Sequence, residues 1–202
     1  MAPRLIAQQL AHPSGFLGKI LARSMNRRNA KMNFFAAEQL DLKPSDRVLE
    51  IGFGGGVALE YLIAKAGFVV GVDRSQTMVR QAKSRFSHAV ARGRVVFHEG
   101  RLEGLPLENW SFEKVLTVNT IYFWNSLEIG FREIHRILSV GGNAAVGFLP
   151  KQKMDRMAFP KDVFTSRSPE EVILVMKRVG FRNIRLLKPE IKTAWSVVLG
   201  TR

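Results

Sequence analysis

Glu50, Gly52, Gly54, Gly56 and Asp73 are residues whose types and spacing could do chemistry. The glycines follow the apolar run Val48-Leu49-Glu50-Ile51 at once and precede a helix-like stretch over 57–66. Strand, glycine turn, helix is the order that lets backbone approach a ligand closely. Asp73 ends a second apolar run, Phe68-Val-Val-Gly-Val72. An acid at the tip of a second strand is placed to accept hydrogen bonds from a ribose. The two motifs together predict a nucleoside-containing ligand on a Rossmann-like half.

The details narrow the ligand. A dinucleotide site would carry a third glycine at position 57, where this chain has Val57. Glu50, inside the strand, would repel a pyrophosphate and suits a cationic, amine-bearing ligand. On Val48, Leu49, Glu50, Gly52, Gly54 and Gly56 the chain resembles the class I S-adenosylmethionine-dependent methyltransferases. Asp73, Leu105-Pro106, Asn119 and the run Glu133 to Gly142 follow in that family's order and spacing. The resemblance covers about residues 35–200, with a core similar to the methyltransferase-11/25 kind. It implies an α/β, Rossmann-like fold with helices on both faces. Its seven-stranded, mostly parallel sheet would run in the order 3-2-1-4-5-7-6, with the last strand antiparallel.

The resemblance also implies S-adenosylmethionine as cofactor and S-adenosylhomocysteine as product. The reaction would be an in-line attack on the methyl group by N, O, S or C, mainly by alignment, with no obligatory metal. Glu50 would order the motif and help hold the amino end through water or backbone, Gly52, Gly54 and Gly56 would allow close approach, and Asp73 would take the ribose hydroxyls. Arg74 and Met78 would lie along the adenine or ribose, Asn119 beyond the fourth strand. Asn29 and Asn33, three and four apart with Asn26, would close over the methionine end; the same asparagines also read as a break between two short helices. Relatives often carry Asp where this chain has Arg101. Arg cannot accept a hydrogen bond. The adenine would then be held by backbone near Arg101 and Leu102, or by Glu103 or Glu99.

Ligands of open α/β sheets bind beyond the carboxyl ends of the strands. Asn119-Thr-Ile-Tyr-Phe-Trp124 falls there, so Tyr122 and Trp124 are the candidates to flank the methyl, with at least one expected outside the core. If a base is needed, Tyr122 and His12 are the candidates, His12 only through an N-terminal lid. His135 reads as a surface or second-layer residue.

The 202 residues suit one domain with a sizeable core, and hydrophobic content of 46% excludes a disordered chain. Cysteine is absent and the four histidines are scattered, so disulfide and thiolate chemistry are excluded and no zinc-ligand cluster is visible. No leader and no 18-residue apolar run appears, so the cytoplasm is the expected location. Lys plus Arg is 31 against 17 acids, a net charge of +14. Such a balance draws nucleic acid, anionic lipid or an acidic substrate, or forms a solvated face.

Residues 1–37 read as an N-terminal helical extension or lid, 38–202 as the catalytic domain, with a cover inserted at 150–168. Residues 1–15 show little pattern. From Phe16, Leu17, Ile20, Leu21 and Met25 mark one helix face, and Lys19, Arg23 and Arg27 a basic one. The leading expectation is a small-molecule methyltransferase, acting on an aromatic or anionic acceptor as a monomer or homodimer. Thr120-Ile121 stands where nucleic-acid amino methyltransferases carry two prolines. The alternatives are a phospholipid amine N-methyltransferase at an anionic membrane surface, an RNA methyltransferase, and a binding module that keeps the fold without catalysis.

Overall fold

The computed structural model describes residues 4–157, 159–190 and 193–202; within these, the side chains of Phe16, Leu17, Lys19, Ala22, Arg23, Met25 and Asn26 are not described. The faces expected of Leu17 and Met25, of Lys19 and Arg23, and of Asn26 therefore lie outside the described side chains; residues 181–189 and 192–199 read from the sequence as a closing antiparallel hairpin, of which Lys192 lies outside the described residues.

Seven strands form one sheet in the order β3-β2-β1-β4-β5-β7-β6. They are β1 (Arg47–Ile51), β2 (Phe68–Asp73), β3 (Val95–Glu99), β4 (Phe112–Val118), β5 (Leu138–Phe148), β6 (Arg182–Leu187) and β7 (Ser196–Thr201). The five strands β3-β2-β1-β4-β5 are parallel neighbours, and β7 runs antiparallel to both β5 and β6. This is the order and the antiparallel strand expected. The central strands are near-continuous apolar runs because helices cover both faces. Leu49, Ile51, Val70 and Val115 pack on one face, while Val48, Val69, Leu116 and Ala145 pack on the other.

The helices begin and end where the local chemistry demands. The side chains of Ser75, Ser126 and Ser168 accept the N–H of Met78, Ile129 and Glu171, capping α4 (Gln76–Arg85), α6 (Leu127–Ile137) and α8 (Pro169–Val179). Each cap satisfies a donor the first turn leaves open. Gly180 closes α8 at φ +114°, a left-handed conformation that costs a glycine little. Between the strands also lie α3 (Val57–Lys65), α5 (Ser87–Ala91) and α7 (Lys151–Arg156).

Several sequence expectations are corrected. Residues Arg4–Ala11 form a helix, α1, although their pattern looked weak. The asparagine-rich stretch does not break a helix: α2 is one element of 24 residues, Gly15–Glu38. Packing overrides the indifferent propensity of Asn, since Met32, Ala36 and Ala37 are buried against the domain. Ser139-Val-Gly-Gly142, whose paired glycines read from the sequence as a helix stop and the turn into the fifth strand, does not lie between helix and strand. It is already part of β5, which starts at Leu138 directly after α6 and pairs there with Phe112 across a register shift. Part of the expected cover is helical, as α7.

Candidate active site

The β1–α3 turn carries the strained positions. Gly52, Gly54 and Gly56 have φ of +70°, +50° and +72°, a region where a Cβ is costly. A Cβ on Gly52 would also overlap the Thr120 methyl. Gly52 N–H donates to Val72 O at 2.7 Å, which ties the turn to the tip of β2.

Asp73 stands beside that turn and is 6% exposed. Its Oδ2 accepts the Gly54 N–H and its Oδ1 the Ser75 N–H, each at 2.8 Å. Each carboxylate oxygen keeps a lone pair for a ligand hydroxyl. Burial raises the Asp73 pKa, while the two backbone bonds, Arg74 and His12 pull it down. Glu50, in register between Gly71 and Leu116, is buried, and its Oε2 has no hydrogen-bond partner among the described residues. Burial, and then the charge of Asp73, pushes its pKa up to about 8.

Arg74 joins three pieces. Its Nε donates to Ala11 O at 2.6 Å, its guanidinium lies 5.0 Å from the Phe123 ring centroid, and it follows Asp73 in the chain. Ser75 Oγ donates to the Pro13 carbonyl, and a ring nitrogen of His12 lies 3.1 Å from the Arg74 carbonyl oxygen. The corner between α1 and α2 is thus fastened to the tip of β2.

A cavity of about 690 Å³ opens over the strand tips. Of the residues expected at the site it is lined by Gly52, Gly54, Asp73, Arg74, Arg101, Leu102, Asn119, Tyr122, Trp124, Asn29 and Asn33. It does not gather four others. Met78 is fully buried in the core with Phe53 and Phe97, Glu50 lies beneath the turn, and Gly56 caps α3. His12 lines a neighbouring recess with Arg74, Glu99, Gly100 and Arg101. Asn33 Nδ2 donates to Asn29 O at 2.9 Å, within its own helix.

The aromatic turn departs from the expectation that one ring would leave the core. Ile121–Phe123 is a single 3₁₀ turn, and Tyr122 and Trp124 are both buried, at 3% and 6% exposure. They still line the cavity. Trp124 sits edge-on to Phe131, at 5.3 Å, over the side-chain-free Gly130. The Tyr122 hydroxyl accepts the Leu149 N–H at 2.5 Å and donates to Asn119 Oδ1 at 3.1 Å. Asn119 is held at φ +59°, unusual outside glycine, which turns the chain sharply off β4.

Other lining residues had weak sequence signals. Ile6, Gln9 and Leu10 of α1 contribute, and their spacing of three and four was the signal available. Met32, Leu149 and Trp195 come from three distant segments, and nothing local marks them. Met154, Met157, Phe159 and Phe164 enter from the expected cover.

Residues 49–146 match the methyltransferase domain family. The chain carries a class I S-adenosylmethionine-dependent methyltransferase domain. An uncharacterized methyltransferase of Bacillus subtilis, YdaC, is 29% identical over 175 residues, 86% of this chain and 92% of its own. The ubiquinone/menaquinone biosynthesis C-methyltransferase UbiE of Geotalea uraniireducens is 26% identical, covering 84% and 83%. Among solved structures, a Thermotoga maritima S-adenosylmethionine-dependent methyltransferase, a possible histamine N-methyltransferase, superposes with a TM-score of 0.67 at 27% identity over 87% and 90% of the two chains.

The protein is an enzyme that uses S-adenosylmethionine as methyl donor. The residues at the cavity suit that cofactor: a carboxylate with free lone pairs for hydroxyls and a glycine turn open to close approach. When bound, the sulfonium supplies an electrophilic methyl group. No cluster of three or more His, Asp or Glu residues able to hold a metal exists among the described residues. No described helix is long and apolar enough to cross a membrane.

Proposed function

We propose that the enzyme methylates a small, largely apolar acceptor, in the cytoplasm, by holding it against the cofactor's methyl group. One observation carries this reading. A single cavity joins the glycine turn and Asp73 to a wall of Tyr122, Phe123, Trp124, Met154 and Phe164. The turn and Asp73 take the nucleoside. Arg74 and Leu102 flank it. The aromatic wall excludes water and orients a flat molecule without charge. Alignment of this kind supplies much of a barrier reduction on its own. Arg28, at the cavity and without a hydrogen-bond or ion-pair partner among the described residues, would draw an anionic group on the acceptor. The relatives named above include a C-methyltransferase of quinone biosynthesis and a possible N-methyltransferase of histamine, which supports a small acceptor.

Calorimetric titration tests this. S-adenosylhomocysteine should bind in the micromolar range, about −8 kcal/mol, and NAD or ATP should not displace it. Folded protein that binds neither S-adenosylmethionine nor its product would defeat the reading.

A further inference from the structure

Ser24 and Arg28 of α2, and Met157 just past α7, line the cavity and are also exposed, so they mark its mouth on that side. Along α2, Ile20, Ser24, Arg27, Lys31 and Phe34 recur at steps of four and three. They share one face over about 21 Å, and all five are exposed. Beside Met157, Lys153 and Arg156 of α7 are exposed too. The ion pairs among the described residues engage none of Arg27, Arg28, Lys31, Lys153 and Arg156. The nearby acids are already held: Asp155 by Lys151 and Ser166, and Asp162 by Arg4. No acid precedes Glu38 in the chain.

Large apolar side chains stand among these cations. Leu5 of α1 is 59% exposed, and Ile20 and Met157 are each 46% exposed. The Arg4–Asp162 pair, at 2.5 Å, holds α1 to the segment after α7, so α1, α2 and α7 frame one mouth. Exposed apolar residues scattered singly need no explanation. Here they gather with unpaired cations around the opening of an apolar cavity. Cations gain near anionic headgroups, and aliphatic side chains gain where they reach the acyl boundary. A nucleic acid would use the cations but leave the aliphatic side chains in water. Its bases stack on exposed rings, and Phe34 is the one exposed ring among the described side chains of α2.

We infer that the mouth framed by α1, α2 and α7 docks on an anionic lipid surface, its cations at the headgroups and Leu5, Ile20 and Met157 dipping toward the acyl chains. An apolar acceptor then enters the cavity from the lipid without crossing bulk water. That entry rests on the methyltransferase reading above; the docking does not.

The test uses the full-length protein with vesicles of phosphatidylcholine alone or of an equal mixture of phosphatidylcholine and phosphatidylglycerol. The protein should pellet with the anionic vesicles and not with the neutral ones, and added salt should release it. Arg27→Gln with Lys31→Gln should weaken partitioning about 30-fold, the worth of two cations at such a surface. Lys177→Gln with Arg178→Gln removes the same charge from α8, which lines no part of the cavity, and should leave partitioning nearly unchanged. The chain has no cysteine, so an environment-sensitive dye can be attached through Ile20→Cys or, on α8, through Leu174→Cys. The dye at position 20 should shift to the blue on anionic vesicles and the dye at position 174 should not. Equal pelleting with both vesicles, equal losses from the two double variants, or a dye at position 20 that stays in water would overturn the docking. So would tighter retention on an RNA homopolymer than on the anionic vesicles. Both double variants should bind S-adenosylhomocysteine as the parent does. Parent protein that pellets as expected but binds no S-adenosylhomocysteine would keep the docking and defeat the methyltransferase reading.

Discussion

The two ends of the cavity are built on opposite plans. The β1–β2 end, where the proposed function seats the nucleoside, is built on backbone: a turn of positive-φ glycines, and a carboxylate clamped by the N–H groups of Gly54 and Ser75. The β4–β5 end is built on side chains from distant segments, with Tyr122 pinned to Leu149 and Met32 laid over Gly147. Backbone recognition is rigid, and each of its parts is needed. A wall of Met and Phe can re-pack around different acceptors. On the function proposed above, the first end would fix the cofactor and the second would set the choice of acceptor. Changes at the first should therefore act on cofactor affinity, and changes at the second on stability and acceptor choice.

The largest expected effect sharpens that division. Trp124→Ala removes a buried ring packed on Phe131 and Gly130, and should cost about 3–5 kcal/mol of stability. Denaturant unfolding measures it. Protein that remains folded should still bind S-adenosylhomocysteine, because nothing at Asp73 has changed. A large loss of cofactor affinity in that folded fraction would break the division.

Asp73→Ala is the counterpart. It removes a charged acceptor from the nucleoside and leaves the Gly54 and Ser75 N–H groups unpaired. Hydrogen bonds to charged groups are worth about 1.5–3 kcal/mol, so affinity should fall about 10- to 150-fold in calorimetry. Asp73→Ala that binds as the parent does would show the ribose lies elsewhere.

Glu50 gives the cofactor end a pH signature. Its folded pKa of about 8 stands above the ordinary 4.5, from burial and then Asp73. The native state therefore holds a proton the unfolded chain has lost. Stability should fall as pH rises from about 4.5 to about 8, by up to about 1.4 kcal/mol per pH unit, and level off above. Thermal melts across that window should be flatter for Glu50→Gln than for the parent. Parallel curves would show that Glu50 ionises normally.

Smaller effects come from the other end. Tyr122→Phe keeps the ring and strands the Leu149 N–H, for a loss of about 1–3 kcal/mol, with cofactor affinity unchanged. The exposed Arg4–Asp162 pair, at 2.5 Å, links α1 to the cover. Asp162→Asn should change stability by less than about 1 kcal/mol, as exposed pairs do.

The same division decided what the sequence could reveal. The glycine turn, Asp73 and the central strands were legible because local patterns encode them: positive φ selects glycine, and buried strands read as apolar runs; the order of the strands in the sheet came from the family resemblance alone. The burial of both Tyr122 and Trp124 was not, because alternation along a strand does not describe a 3₁₀ turn. Nor was α2 legible as one helix, since Asn26, Asn29 and Asn33 suggested a break that packing overrides. Met32, Leu149 and Trp195 meet only through the fold. Met78 had the right spacing, yet its register on α4 buries it fully among Val79, Phe53 and Phe97.

A crystal structure with S-adenosylhomocysteine bound tests the central claim most directly. The account predicts the ribose hydroxyls on Asp73, the adenine between Arg74 and Leu102, and the sulfur facing a space bounded by Tyr122, Met32, Leu149 and Met154. An adenosine seated instead among Met154, Phe159 and Phe164, with Asp73 untouched, would contradict it.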